Sequence, residues 1–333
     1  MMNFKMWGQA LRIIPQVSKS EWDGLDIISR WLISTRAAVL VMTFLSAAIA
    51  GMLAFLDGAF DWGRWGLVTI GLILAHATNN LINDLTDHIK GVDKDNYFRA
   101  QYGPQPLEHG LLSMKQMLTY IFITGMLALV PGLYLVWQLG TPVLWLLLAG
   151  AFFVLFYTFP LKFIGLGEIA VLIVWGPLMI GGGYFVITGG WNWNVIIASL
   201  PYAIGVTTVL FGKHIDKFDE DKAKGIYTLP VIIGEQSARA IVITMILVQY
   251  ALVIYLVAIR FFSPFLVIIA LALPLMRKTI RSFLKPKPDS PPEDYPSDSW
   301  PIWFVGHAFL HNRRWGSFFL LGLILAAILE IIL

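Results

Sequence analysis

The chain alternates long apolar runs with short polar breaks, and the length of the runs sets the first expectation. A helix crosses a bilayer with about 20 apolar residues. Runs of this kind lie at about 36–57, 66–86, 114–137, 142–160, 167–188, 194–213, 237–259, 262–277 and 315–333. The eighth is short and bounded by Pro274. Three connections are long and polar, at 87–113, 214–236 and 278–314, and the others are tight turns such as "QLGT" and "TGGWNW". The pattern predicts an all-α membrane protein of nine transmembrane helices, a single domain over residues 1–333. Residues 1–35 form a polar N-terminal segment, and 278–314 hold a Pro-rich stretch, "KPKPDSPPEDYPSDSWP", that reads as a solvated linker before the last helix.

Charge orients these helices. Cytoplasmic loops of membrane proteins collect Lys and Arg. With the N-terminus inside, all of the 24 Lys and Arg residues except Arg64 and Arg260 face the cytoplasm. The loops 87–113 and 214–236 then cap a central cavity from the cytoplasmic side of a cell inner membrane. The start of the chain lacks a long apolar core followed by a small-residue cleavage site, so it reads as a retained segment.

Composition agrees. Hydrophobic residues make up 57% and the mean hydropathy is +0.71. Charged residues are 14%, against about 25% in soluble domains. The 13 Trp suit interfacial belts. With no Cys, disulfides and thiolate-held metals are excluded. The lipid bilayer is the expected surrounding, and no nucleic-acid partner is expected.

Two polar constellations break the apolar pattern. At 100° per residue, His76, Asn80, Asn83 and Asp87 of the second helix fall on one stripe, which must face protein or water. Asn79 and Asp84 flank it, and Asp93 and Asp95 follow in the loop. His76 alone reads as a hydrogen-bonded core histidine. Asn83, Asp84 and Asp87 are hard oxygen donors of the kind that bind Mg²⁺ together with substrate phosphates. Lys90, Lys94 and Arg99 lie close enough in sequence to neutralise a phosphate. The sixth helix runs into "KHIDKFDEDKAKGIYTLPVIIGE" (213–235). If helical at its start, it places His214, Lys217 and Asp221 on one face and turns Asp216 and Asp219 away. Two such clusters on one side of a membrane suggest a diphosphate held by Mg²⁺, its apolar tail lying between helices.

These residues resemble a known family. "NDLTDHIKGVD" (83–93) is similar to the first aspartate-rich motif of the UbiA superfamily of intramembrane prenyltransferases, and its "GVD" ending resembles the branch that prenylates dihydroxynaphthoate for menaquinone. "GPQPLEHGLLS" (103–113), "FYTFPLKFIGLGE" (156–168) and "DKAKGIYTLPVIIGE" (221–235) are similar to further segments of that family. The resemblance implies Mg²⁺-dependent transfer from a prenyl diphosphate donor to a small hydrophobic aromatic acceptor, a quinone precursor. By position it implies Asp87, Asp221 and Tyr157 as catalytic residues, and Asn83, Asp84, Asp87, Asp93, Asp219 and Asp221 around the metal. Lys94, Arg99, Lys162, Lys217 and Lys224 would meet the diphosphate, and Asn80 and His214 the acceptor. Haem, chlorin or glycerol phosphate lipid acceptors remain alternatives, as does a lipid-binding or transport protein.

The chain departs from the family pattern in places. Gly91 stands where a third Asp is frequent, Gln105 precedes Pro106-Leu107 in place of Arg, and Lys217 stands at the first Asp of the second motif. Either the backbone unwinds there and Asp219 turns inward, or the site uses fewer carboxylates and Lys217 contacts the diphosphate directly. A third possibility is that binding remains without catalysis.

Overall fold

A computed structural model describes residues 2–92, 94, 103–293, 295 and 300–332. Within them all regular structure is helical. Seven helices are long and apolar enough to cross a membrane. They are α1 (Ala37–Leu56), α2 (Trp62–Ile89), α3 (Met114–Leu139), α5 (Gly167–Thr188), α6 (Trp193–Asp216), α8 (Glu235–Ala258) and α10 (Phe304–Ile332). Between them lie α4 (Thr141–Phe156), α7 (Phe218–Ala223) and α9 (Leu273–Phe283).

The two remaining predicted spans depart from the expected length or form. With 16 residues, α4 is about 24 Å long, short of the roughly 30 Å hydrocarbon layer. The 262–277 run opens as a 3₁₀ stretch, Pro264–Ala272, and only then becomes α9. By contrast α2 has 28 residues, about 42 Å, so its last turns reach beyond an apolar slab. Those turns carry Asn83, Asp84 and Asp87.

Local chemistry sets the helix starts. Asp61 caps α2 by accepting from the Arg64 N–H at 2.8 Å, and Ser113 with Gln116 forms a capping box on α3. Within α5, Val174–Gly181 is wound as a π-helix around Pro177, whose missing N–H frees the ladder there. The bulge turns Trp175 toward His76, ring against ring at 5.3 Å. His76 also hydrogen-bonds Thr43 at 2.7 Å, the satisfied core histidine expected from the sequence.

The main core joins α1, α5, α6, α8 and α10 around buried residues such as Ile49, Tyr202, Ile246, Trp315 and Phe319. A smaller cluster packs the N-terminal segment on α2 and α3 through Trp22, Leu81 and Met117. The closest joint is between α6 and α10. A Cβ on Gly212 would sit 2.8 Å from the backbone nitrogen of Val305, so only glycine permits this approach. One turn further, the Asp216 carboxylate accepts from the N–H groups of Trp303, Phe304 and Val305, each at 3.0 Å. It thereby satisfies the orphan donors at the start of a 29-residue helix. Half-burial pushes the Lys287 ammonium pKa down, and the nearby Asp216 and Glu220 charges act against that shift.

The described residues of the Pro-rich stretch before Pro301 are exposed or half-buried, and two of its side chains are anchored. Lys287 donates to the Pro301 carbonyl and lies 4.9 Å over the Trp300 ring. Tyr295 donates to the Ile302 carbonyl and packs on Trp303 and His307. Aromatic side chains at 295, 300 and 303 give the stretch apolar area to bury, which its Pro and acidic content conceals.

Asp216→Ala is expected to destabilise the fold by about 1–3 kcal/mol, because three donors lose one acceptor in a buried place. Gly212→Ala should destabilise through backbone separation. Thermal unfolding in nanodiscs measures both, and an unchanged Asp216→Ala melting curve would contradict the role given to this cap.

Candidate functional site

The polar ends of α2 and α6 meet around the connection between α4 and α5. Three cross-links fix the arrangement. The Lys162 ammonium pairs with Asp87 at 2.6 Å, the Tyr227 N–H donates to the Phe163 carbonyl at 3.2 Å, and Lys224 donates to the carbonyls of Val92 and Lys94 at 2.6 and 2.9 Å. The segments following α2 and α6 are thus tied to each other and to the turn between α4 and α5.

Along α2 each polar side chain has its own partner. Asn79 donates to the Val154 carbonyl at 3.0 Å, Asn80 to the Thr35 carbonyl at 2.8 Å, and Asn83 to the Thr158 hydroxyl at 3.1 Å. Asp84 is paired with Arg36. Arg36 takes a left-handed backbone, φ 54°, a conformation that a residue with a side chain holds only where its surroundings demand it. Its buried ion pair with Asp84 is such a demand.

On the α6 side, helix geometry breaks at Lys217, between α6 and α7. His214, Lys217 and Asp221 are all buried, and Lys217 pairs with Asp221 at 3.2 Å. His214 is bonded at 2.6 Å to Glu168, from the first turn of α5. Asp219 is exposed despite the break, so unwinding does not turn it inward. Asp216 points away from this face, into α10.

Beside this polar end lies a cavity of about 1240 Å³. Its walls are mostly apolar side chains of α2 to α6, with contributions from α1, α9 and α10, and Arg36, Asn80, Asn83, Tyr157 and Lys213 stand among its polar lining. No Asp or Glu among the described residues lines it. It exceeds the roughly 300–1,000 Å³ of ordinary small-molecule pockets. Such a space takes a long apolar ligand with an anionic head at the polar end.

The structure therefore brings Asn80, Asn83, Asp84, Asp87, Tyr157, Lys162, His214, Lys217 and Asp221 to one end of the bundle. Asn80, Asn83 and Tyr157 line the cavity; the others do not. Lys224 is engaged with loop carbonyls, and Lys94 is exposed. Asp93 and Arg99 lie outside the described residues. Among the described residues, no group of three or more acidic or histidine side chains is close enough to hold a metal ion by itself. Sequence reasoning did not assign Arg36 or Glu168 to the site. An arginine at the edge of an apolar run, and a glutamate directly after the Gly that opens an apolar helix, were the available signals.

Comparison with known proteins supplies independent findings. The sequence profile of the UbiA prenyltransferase family matches residues 44–305. The chain is 29% identical over 221 residues to 1,4-dihydroxy-2-naphthoate octaprenyltransferase of Escherichia coli K12, covering 63% of this chain and 70% of that protein. It is 23% identical over 254 residues to the Bacillus subtilis protein of the same name, covering 75% and 81%. Among solved structures, a UbiA homolog from Archaeoglobus fulgidus bound to GPP and Mg²⁺ superposes with a TM-score of 0.57 at 17% identity, covering 87% of this chain and 99% of that one.

Arg36→Met is expected to cost about 3–5 kcal/mol, since it leaves Asp84 as a buried charge without its cation. Adding Asp84→Asn should return most of that stability. A double-mutant cycle of unfolding free energies measures the coupling, and additive effects would show that the pair is not a unit.

Proposed function

The chain belongs to the UbiA prenyltransferase family, and we propose that it transfers a prenyl group from a polyprenyl diphosphate to an aromatic acceptor of the dihydroxynaphthoate type, releasing diphosphate. The single observation that carries this reading is the placement of the oxygen donors of α2 and the cations Arg36, Lys162, Lys213 and Lys217 at one end of a large apolar cavity. The naphthoate prenyltransferases of Escherichia coli and Bacillus subtilis among its relatives support the acceptor class. The UbiA homolog bound to GPP and Mg²⁺ supports the donor and the metal.

The donor set fits Mg²⁺. Asn83, Asp84, Asp87 and Asp221 offer only hard oxygens, too few to enclose an ion, as suits a metal that keeps waters and substrate phosphate oxygens. Asn83 and Asp87 would hold it, with Asp84 and Asp221 at the same end of the bundle; Asp93 follows in sequence, and Asp219 is exposed. When bound, Mg²⁺ supplies charge stabilisation to the departing diphosphate.

The reaction breaks the allylic C–O bond, and the electron pair leaves with the diphosphate. Lys162 and Lys217, with Lys94 and Arg99 from the connecting loop, meet that charge; Lys224 orders the loop that carries them. A ring carbon of the acceptor then attacks the allylic cation to form the new C–C bond, and aromaticity returns as that carbon releases its proton, or carbon dioxide where it bears a carboxylate. Tyr157 and Asn80 on the cavity wall orient the acceptor, and His214 with Glu168 supports them from behind. The apolar walls keep water from the cation. Nine membrane-crossing segments, counting α4 and Pro264–Phe283, would place this end at the cytoplasmic face of a cell inner membrane.

Asp87→Asn should reduce prenyl transfer by about 100-fold or more; because it also leaves Lys162 without its buried carboxylate, the rate is read on protein whose folding is checked by thermal unfolding. The assay follows diphosphate release and product mass in nanodiscs with geranyl, farnesyl and geranylgeranyl diphosphates, Mg²⁺ and naphthoate acceptors. Chelation by EDTA should have the same effect, and full turnover by Asp87→Asn would remove the proposed role.

A further inference from the structure

The α6 side of the site is short of carboxylates, and the structure shows where they went. Asp216 is fully engaged at the start of α10, holding three backbone N–H groups at 3.0 Å. Asp219 is exposed. Asp221 is the one acidic side chain of this stretch that is buried toward the site, 3% exposed, and an ammonium stands against it.

That ammonium belongs to Lys217. It lies in the break between α6 and α7, with φ −111° and ψ 19°. The break follows from the joint with α10: Gly212 and Asp216 bind α6 to α10, and the chain departs after Asp216. From the break the Lys217 side chain reaches Asp221 at 3.2 Å while only 5% exposed. Lys213, one turn earlier on α6, lines the cavity, so a second cation precedes Lys217 along the same helix end. The α2 side is different. There Asn83 lines the cavity, and Asp84 and Asp87, next along α2, are matched by Arg36 and Lys162.

A divalent ion on the α6 side would have one protein carboxylate and a resident ammonium beside it. Repulsion between like charges in a low-dielectric place opposes that arrangement. A flexible ammonium with three donors is itself a phosphate binder. It can exchange the Asp221 carboxylate for a phosphate oxygen by rotating its side chain.

We propose that this site holds the donor diphosphate with a single divalent ion, on the α2 side at Asn83 and Asp87, and that the buried Lys217 of the α6–α7 break serves as the second positive centre. This rests on the prenyl-diphosphate reading above. Its distinctive content is the number of ions per chain and the identity of the group that supplies the remaining positive charge.

The test counts ions directly. The full chain in nanodiscs is titrated with Mn²⁺ in the presence of geranyl S-thiolodiphosphate, a donor analogue that ionises very slowly. Free Mn²⁺ is followed by its paramagnetic resonance signal, and analogue binding is measured by calorimetry in parallel. The expected result is one Mn²⁺ per chain in the analogue complex. Lys217→Asp is expected to raise the count to two, and Lys217→Met to keep it at one while weakening analogue binding at least 10-fold. Two Mn²⁺ in the unmodified chain, or unchanged analogue affinity in Lys217→Met, would overturn the proposal. If Lys217→Asp does not give a monodisperse sample, the unmodified count and the Lys217→Met affinity decide it. Absence of any analogue binding to the unmodified chain would instead overturn the prenyl-diphosphate reading on which the proposal stands.

Discussion

A carboxylate at the end of an apolar bundle is costly until a partner meets it, and this requirement organises the whole polar end. Asp84 faces Arg36, Asp87 faces Lys162, Glu168 faces His214 and Asp221 faces Lys217. Removing one member of such a buried pair is far more damaging than replacing both. Three of the pairs join elements far apart in the chain: the entry to α1 with α2, α2 with the α4–α5 turn, and α5 with α6. The strained backbone of Arg36 is one local consequence, since the guanidinium must be delivered to Asp84 from the start of α1. Site and bundle are therefore not separable: the ion pairs that arrange the candidate ligands also hold the helices together at that end.

The fourth pair is local, and its place depends on a joint elsewhere. Gly212 lets α10 approach the backbone of α6, and Asp216 caps it. With that carboxylate engaged, α6 ends and Lys217 occupies the break. An aspartate that looks available for metal binding in the sequence is thus structural, and a lysine that looks like a departure from a motif becomes the partner of Asp221. One packing contact between two helices settles which acidic residues remain for chemistry.

Much of this was legible along the chain, and the remainder failed for identifiable reasons. The polar stripe of α2 follows from the 3.6-residue period, because a polar side chain in an apolar helix has to face inward wherever the helix packs. Asn80, Asn83 and Asp87 are buried as that argument requires. His214, Lys217 and Asp221 are all buried even though the helix breaks between them, and the i,i+4 pair of Lys217 and Asp221 survives the break. The long spans were legible from apolar length alone. The brevity of α4 and the 3₁₀ opening before α9 were not, since apolar runs do not reveal where Phe156 hands over to a turn or how Pro264–Ala272 winds. Arg36, Glu168 and the engagement of Asp216 depend on partners 46 to 89 residues away, and only tertiary structure brings those together.

The layering of charge also bears on how a ligand is chosen. Arg36 and Lys213 line the cavity, and no Asp or Glu among the described residues does. On the reading proposed above, an anionic head group entering the cavity would meet positive side chains first, and displacing Lys162 from Asp87 would uncover a carboxylate. A divalent cation carried with the phosphate would compensate that carboxylate, whereas a bare anion would not.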